Sequence, residues 1–278
     1  MPLVPTREIM DLAQAGAFGQ GAFNVIHLET AQALIQGAEL ANTALILQIS
    51  ENCVKYHGGL APIAAASKAL AELASVPVAL HLDHAEDEQL VYQALELGFG
   101  SVMFDGAKLG FEDNVAATRR VVAAAKLTGT YVEAELGEIG GKDGAHAPGV
   151  RTDPGEAAHF SSLTGIDALA VAVGSSHAML HRGATLDLEL IGRLKESLGI
   201  PLVLHGSSGV PDETLVDGIR AGMRKINVST HLNGYFTRAV RQWLAEHPEA
   251  VDSRKYMAAG RTQMAIEAAR LLKLFASA

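Results

Sequence analysis

Val78-Ala79-Leu80-His81-Leu82-Asp83-His84 is a short apolar run that ends in ionisable residues. A run of this length and composition reads as a buried parallel strand. Two other stretches have the same form: Leu169-Ala170-Val171-Ala172-Val173-Gly174-Ser175-Ser176-His177 and Pro201-Leu202-Val203-Leu204-His205-Gly206. In an α/β fold the C-terminal ends of such strands share one face, so the imidazoles of His84, His177 and His205 can converge there. Three histidines with an open fourth position are a catalytic zinc arrangement. Asp83 stands beside one of them, where a proton-transferring carboxylate is useful.

Outward from these runs, strand-like and helix-like segments alternate along the whole chain. Strands are expected near Gly21–Val25, Ala44–Ser50, Val78–Asp83, Ser101–Asp105, Tyr131–Leu136, Ala168–Gly174, Leu202–His205 and Lys225–Val228. Amphipathic stretches separate them, among them Thr30–Ala41, Ile63–Ala74, Asp87–Leu97, Asn114–Leu127 and Leu186–Leu198. Eight units in this order predict an α/β protein of the (β/α)8 TIM barrel type. Extra helices are expected at both ends: Thr6–Ala15 across the bottom, then Tyr235–Ala245 and Arg261–Phe275. The expectation is one domain over residues 1–278. An open doubly wound sheet is the alternative, but it calls for a Gly-rich fingerprint after the first strand, and Gly19 and Gly21 come too early for that. Gly137 to Pro154 is Gly-rich without apolar periodicity and reads as a mobile loop over the barrel mouth.

The chain has 278 residues, 49% of them hydrophobic, which suits one barrel with a large core. Its formal charge of -9 argues against nucleic acid as a partner, although the local field of a site can still favour an anionic substrate. The single cysteine, Cys53, excludes an internal disulfide and suits a reducing cytoplasm. Met1 to Met10 has no signal-peptide pattern, and no run approaches the roughly 20 apolar residues of a membrane helix. The expected location is cytoplasmic, with no membrane partner.

In a barrel the chemistry lies at the C-terminal ends of the strands. Alternation turns His81 and Asp83 the same way, and the strand end decides where His84 turns. Gly206-Ser207-Ser208-Gly209 follows the seventh strand and Asn227-Val228-Ser229-Thr230 closes the eighth. Turns at this position commonly cradle phosphate with backbone N–H groups and hydroxyls. The plain alternative is an ordinary turn and a helix cap. Asp105, Glu133 and Glu135 also face the mouth. Such carboxylates suit either the orientation of a histidine, the binding of a further cation, or a salt-bridged barrel layer.

These pieces together resemble the class II, zinc-dependent fructose-bisphosphate/tagatose-bisphosphate aldolase family. The resemblance is carried, in order, by Gly21-Ala22-Phe23-Asn24, His81-Leu82-Asp83-His84, Phe111-Glu112-Asp113-Asn114-Val115, Val132-Glu133-Ala134-Glu135-Leu136-Gly137, Gly174-Ser175-Ser176-His177, Leu204-His205-Gly206-Ser207-Ser208-Gly209 and Lys225-Ile226-Asn227-Val228. It implies zinc on His84, His177 and His205, with Asp83 as the acid/base for the C4 hydroxyl of a ketose bisphosphate. It implies dihydroxyacetone phosphate held by Ala178, Gly206, Ser207, Ser208, Asn227, Val228, Ser229 and Thr230, with Asn24 and Ser50 at the substrate end of the first two strands. Asp105 and Glu135 match acidic positions near the metal, where a second divalent ion is an expectation. A monovalent cation (Na+ or K+) near the phosphate turns, and a homodimer or homotetramer, are implied as well.

Several positions depart from the family pattern. The loop base is usually a glutamate. This chain has Asp143 near that position, with His146 as a second candidate. Ala178 stands where many relatives have glycine, and His231 where an acidic residue is common. Arg261 matches an arginine that fructose-type relatives use for the distal phosphate, often from the neighbouring subunit, and an arginine fork suits phosphate. The expected substrate is therefore fructose 1,6-bisphosphate, with tagatose 1,6-bisphosphate or another ketose phosphate as the alternative. Other readings remain open: a Schiff-base aldolase using Lys108, or less suitably Lys225, which would begin the eighth strand; a metal-dependent hydrolase; and a sugar-phosphate sensor.

Overall fold

The computed structural model describes residues 2–136, 150–177 and 179–278. Eight strands pair in parallel, each with its sequence neighbour, and β8 closes onto β1. They are β1 Gln20–Asn24, β2 Leu45–Ser50, β3 Val78–Ala85, β4 Ser101–Phe104, β5 Tyr131–Leu136, β6 Ala168–Val171, β7 Leu202–Leu204 and β8 Met223–Val228. The helices are α1 Thr6–Gly16, α2 Leu28–Ala41, α3 Glu51–His57, α4 Leu60–Leu73, α5 Glu88–Glu96, α6 Phe111–Thr128, α7 Pro154–Thr164, α8 Leu188–Ser197, α9 Asp212–Ala221, α10 Thr230–Glu246 and α11 Ser253–Ala276. The expected TIM barrel with extra terminal helices is what the chain forms. Among the described residues no helix is long and apolar enough to cross a membrane.

Two apolar layers follow from strand alternation. Outward residues such as Phe23, Leu47, Leu80 and Val132 join the inner faces of the helices in one large core. Inward residues such as Ala22, Ile46, Ala79, Met103 and Ala170 form a second cluster, plugged from below by Ile9 and Met10 of α1. Between that plug and the mouth the inward row turns polar. Lys225 lies within β8, not at its start, and is buried in the barrel with its Nζ 2.8 Å from Glu133 Oε2. Short helices escape a periodicity reading. α3 is one example; it follows Ser50, whose hydroxyl caps it by accepting from Cys53 N–H. The last helix begins at Ser253 rather than Arg261, so Arg261 lies inside it.

Candidate active site

β3 carries Asp83 and His84 to the mouth. Alternation alone would turn His84 out toward the helices. A register shift against β4 between Leu82 and Ala85 and a left-handed backbone at His84 (φ 53°) break the alternation. That conformation costs a non-glycine residue about 1–2 kcal/mol, strain of the kind held at functional sites. His84 Nδ1 then meets Asp105 Oδ2 at 2.9 Å, while its Nε2 lies 2.9 Å from His205 Nδ1. Gly206 (φ 69°) turns the chain directly after His205. A Cβ there would lie 2.6 Å from the Ser176 carbonyl, so only glycine lets the turn beside His205 pass the turn beside His177.

The three rings gather as a result. Centroids are 5.0 Å apart for His84 and His177, 4.5 Å for His84 and His205, and 5.7 Å for His177 and His205. One nitrogen from each lies within 4.8 Å of the others. That approaches the spacing of three nitrogens each about 2 Å from one ion. Nitrogen donors without a carboxylate in the set suit zinc and neighbouring transition metals. A second grouping, His84 with Asp105 and Glu135, shares His84 and uses the side that faces the two carboxylates.

Asp83 is buried, and its Oδ2 accepts from Asn24 Nδ2 at 2.9 Å. Asn24 Oδ1 in turn accepts from Gln48 Nε2 at 3.1 Å, so β1 and β2 fix the carboxylate of β3. Among the described residues Asp83 Oδ1 has no hydrogen-bond partner, and it lies 3.9 Å from His84 Nε2. Burial alone would raise the Asp83 pKa, but His84, His205 and Lys225 outweigh it and hold the carboxyl below its usual range. Burial, with His84 beside it, lowers His205 to about 4, against the opposing pull of Glu133. Its ring is thus neutral at neutral pH, as metal ligation requires.

At the opposite wall, Ser207–Gly209 forms a 3-10 turn after β7, and α10 starts at Thr230 after β8. Ser208 Oγ ties the two together by accepting from the backbone N–H groups of Ser229 (3.3 Å) and His231 (3.2 Å). His231 meets the buried Glu267 of α11 at 2.6 Å, which accounts for a histidine at this position.

One cavity of about 360 Å³ is lined by Asn24, Ser50, Asp83, His84, His177, His205, Gly206, Ser208, Asn227, Ser229 and Thr230. Ser207 instead donates its hydroxyl to Leu204 O, and Val228 packs into the outer core. Arg261 faces α2, where its Nη1 donates to Gln32 Oε1 at 2.9 Å. Asp143, His146 and Ala178 lie outside the described residues, as do residues 137–149 of the loop expected from Gly137 to Pro154. The cavity rim adds Glu51, Asn52, Lys55 and Glu86, which the sequence reading left without a role, and Lys108, the Schiff-base candidate, salt-bridged to Glu86 at 3.0 Å. Their only sequence signal was position just beyond strand ends. Gln48, an inward polar residue on an otherwise apolar strand, was visible in the pattern but had no partner to give it meaning.

A closed parallel barrel with histidines gathered at its C-terminal mouth defines the class: a (β/α)8 protein with a candidate metal centre beside a buried acid. Comparison with known proteins narrows this. The family profile described as fructose-bisphosphate aldolase class-II matches residues 4–278. A fructose-bisphosphate aldolase of Geobacillus stearothermophilus is 40% identical over 265 residues, covering 94% of this chain and 92% of that protein. A fructose-bisphosphate aldolase of Giardia intestinalis is 36% identical, covering 100% of this chain and 94% of that protein. The crystal structure of the YdjI aldolase from Escherichia coli K12 superposes with a TM-score of 0.85 at 29% identity, covering 99% of this chain and 98% of the other. The chain belongs to the class II fructose-bisphosphate aldolase family, whose members are lyases acting on sugar phosphates and are generally metal-dependent.

Proposed function

We propose that this protein catalyses the reversible aldol cleavage of fructose 1,6-bisphosphate to dihydroxyacetone phosphate and glyceraldehyde 3-phosphate, with zinc on His84, His177 and His205. The observation that carries the reading is the approach of three imidazole nitrogens from three strand ends within 4.8 Å. Zinc bound there supplies a Lewis acid that draws off the electron pair left at C3 when the C3–C4 bond breaks. Asp83 Oδ1 accepts the C4 hydroxyl proton as the C4 carbonyl forms and returns it in condensation. Asn24 holds the other oxygen so that the accepting one stays aimed at the cavity. A second proton then goes to C3 of the three-carbon product, and Asp143, or His146, is the proposed donor. The backbone N–H groups after β8, now turned toward Ser208 Oγ, would take the phosphate of the three-carbon half together with the turn after β7. Ser207 and Val228 support that turn rather than line the cavity. Asp105 and Glu135 flank the outer nitrogen of His84, and a second divalent ion would sit on that side.

Arg261 is the proposed reader of the distal phosphate in a neighbouring subunit. It lies on α11 against Gln32 of α2 rather than in its own cavity, which fits a role in a homodimer or homotetramer. A cytoplasmic location is part of the proposal, and the single cysteine, which suits a reducing compartment, supports it. One coupled assay tests the function: release of glyceraldehyde 3-phosphate from fructose and tagatose 1,6-bisphosphates, with and without EDTA. The expected outcome is faster turnover of the fructose isomer, abolished by EDTA and restored by zinc. EDTA-resistant turnover that borohydride traps on a lysine would overturn the metal route, and preference for the tagatose isomer would overturn the substrate.

A further inference from the structure

Glu133 sits on β5 below the cavity floor, fully buried and outside the cavity lining. Its Oε1 lies 3.0 Å from His205 Nε2, and its Oε2 lies 2.8 Å from Lys225 Nζ. We infer that Glu133 is the positioning residue of His205, fixing its Nε2–H tautomer so that Nδ1 faces the metal, and that Lys225 is the counter-charge that lets a carboxylate occupy this place. This rests on the metal reading above.

The proton directions follow from the ends of the chain of contacts. Lys225 can only donate, and a carboxylate can only accept. Lys225 is therefore ion-paired with Glu133 Oε2 and donates to His81 Nε2, 3.4 Å away. His81 Nδ1, 2.8 Å from Ser101 Oγ, then carries the His81 proton. At the other end His205 Nε2 donates to Glu133 Oε1, which leaves its lone pair on Nδ1. That nitrogen faces His84 Nε2 at 2.9 Å, inside the ring cluster. His84 is set the opposite way, with Nδ1 held by Asp105 and Nε2 in the cluster. The two histidines thus offer different nitrogens, each chosen by its own carboxylate. A salt bridge serving only to neutralise Lys225 would not need its second oxygen on a histidine of the cluster. Lys225 also offsets charge: a carboxylate alone beneath His205 would pass negative charge through the ring toward the ion and weaken it as a Lewis acid.

The test is zinc affinity, by competition with a fluorescent chelator, of the full-length protein and of Glu133→Gln, with circular dichroism to confirm folding. Zinc binding is expected to weaken by about 10- to 100-fold, the usual cost of losing a partner that orients a ligand. Glu133→Gln leaves a buried ammonium uncompensated, so Glu133→Gln/Lys225→Met is measured beside it and is expected to show the same loss. A folded double variant that binds zinc as tightly as the unaltered protein would overturn the inference. The tautomer is read directly by 15N spectra of histidine-labelled, zinc-loaded protein: His205 is expected to carry its proton on Nε2, and metal on Nε2 instead would also overturn it. Failure of the underlying metal reading looks different, since His205→Ala would then keep its zinc.

Discussion

At Asp83 one carboxylate oxygen is tied to Asn24 and the other turns toward the ring cluster, 3.9 Å from His84 Nε2. Asp83→Ala should keep the metal, because none of the three histidines is removed, and should lower kcat by a factor of about 10²–10⁴, the range for an acid/base group. Near-normal kcat with zinc retained would remove Asp83 from that role. At this scale the sequence showed the ionisable residues at strand tails, because polar groups after an apolar run are conspicuous. It could not show how His84 escapes alternation, since a bulge and a left-handed histidine leave no compositional mark. Nor could it choose among the roles open to Glu133, whose partners His205 and Lys225 are distant in the chain.

Among the elements, β3 holds both the acid and the buried ring below it. His81 is fully buried, and burial together with Lys225 lowers its pKa to about 3. In the unfolded chain the ring titrates near 6.5. Below that pH the unfolded chain takes up a proton that the folded chain refuses, so the stability is fully present above pH 6.5 and drains away as the pH falls toward 3. Between pH 7 and pH 5 this one ring should cost about 2 kcal/mol. Urea unfolding of metal-free protein at both pH values should show that loss, and His81→Asn should shrink it; equal losses in the two proteins would refute the assignment. Strand identity was legible from apolar runs, whereas strand ends were not. β6 was expected to run to Gly174 but ends at Val171, because the Ala172 backbone leaves the ladder and exchanges hydrogen bonds with Thr152.

Across the molecule, eight alternating units were enough to specify closure, because each strand buries both faces, one in the barrel and one under helices. Closure is what turns residues more than a hundred positions apart into neighbours. The reach of Arg261 was not legible, since its place on α11 and its contact with Gln32 depend on how α11 packs on α2. The central claim is that the barrel mouth gathers three histidines around one ion. Anomalous X-ray diffraction at the zinc edge from zinc-loaded crystals tests it most directly. The account predicts a strong peak within coordination distance of His84, His177 and His205. The lack of a peak there, or one reached by fewer than all three rings, would contradict it.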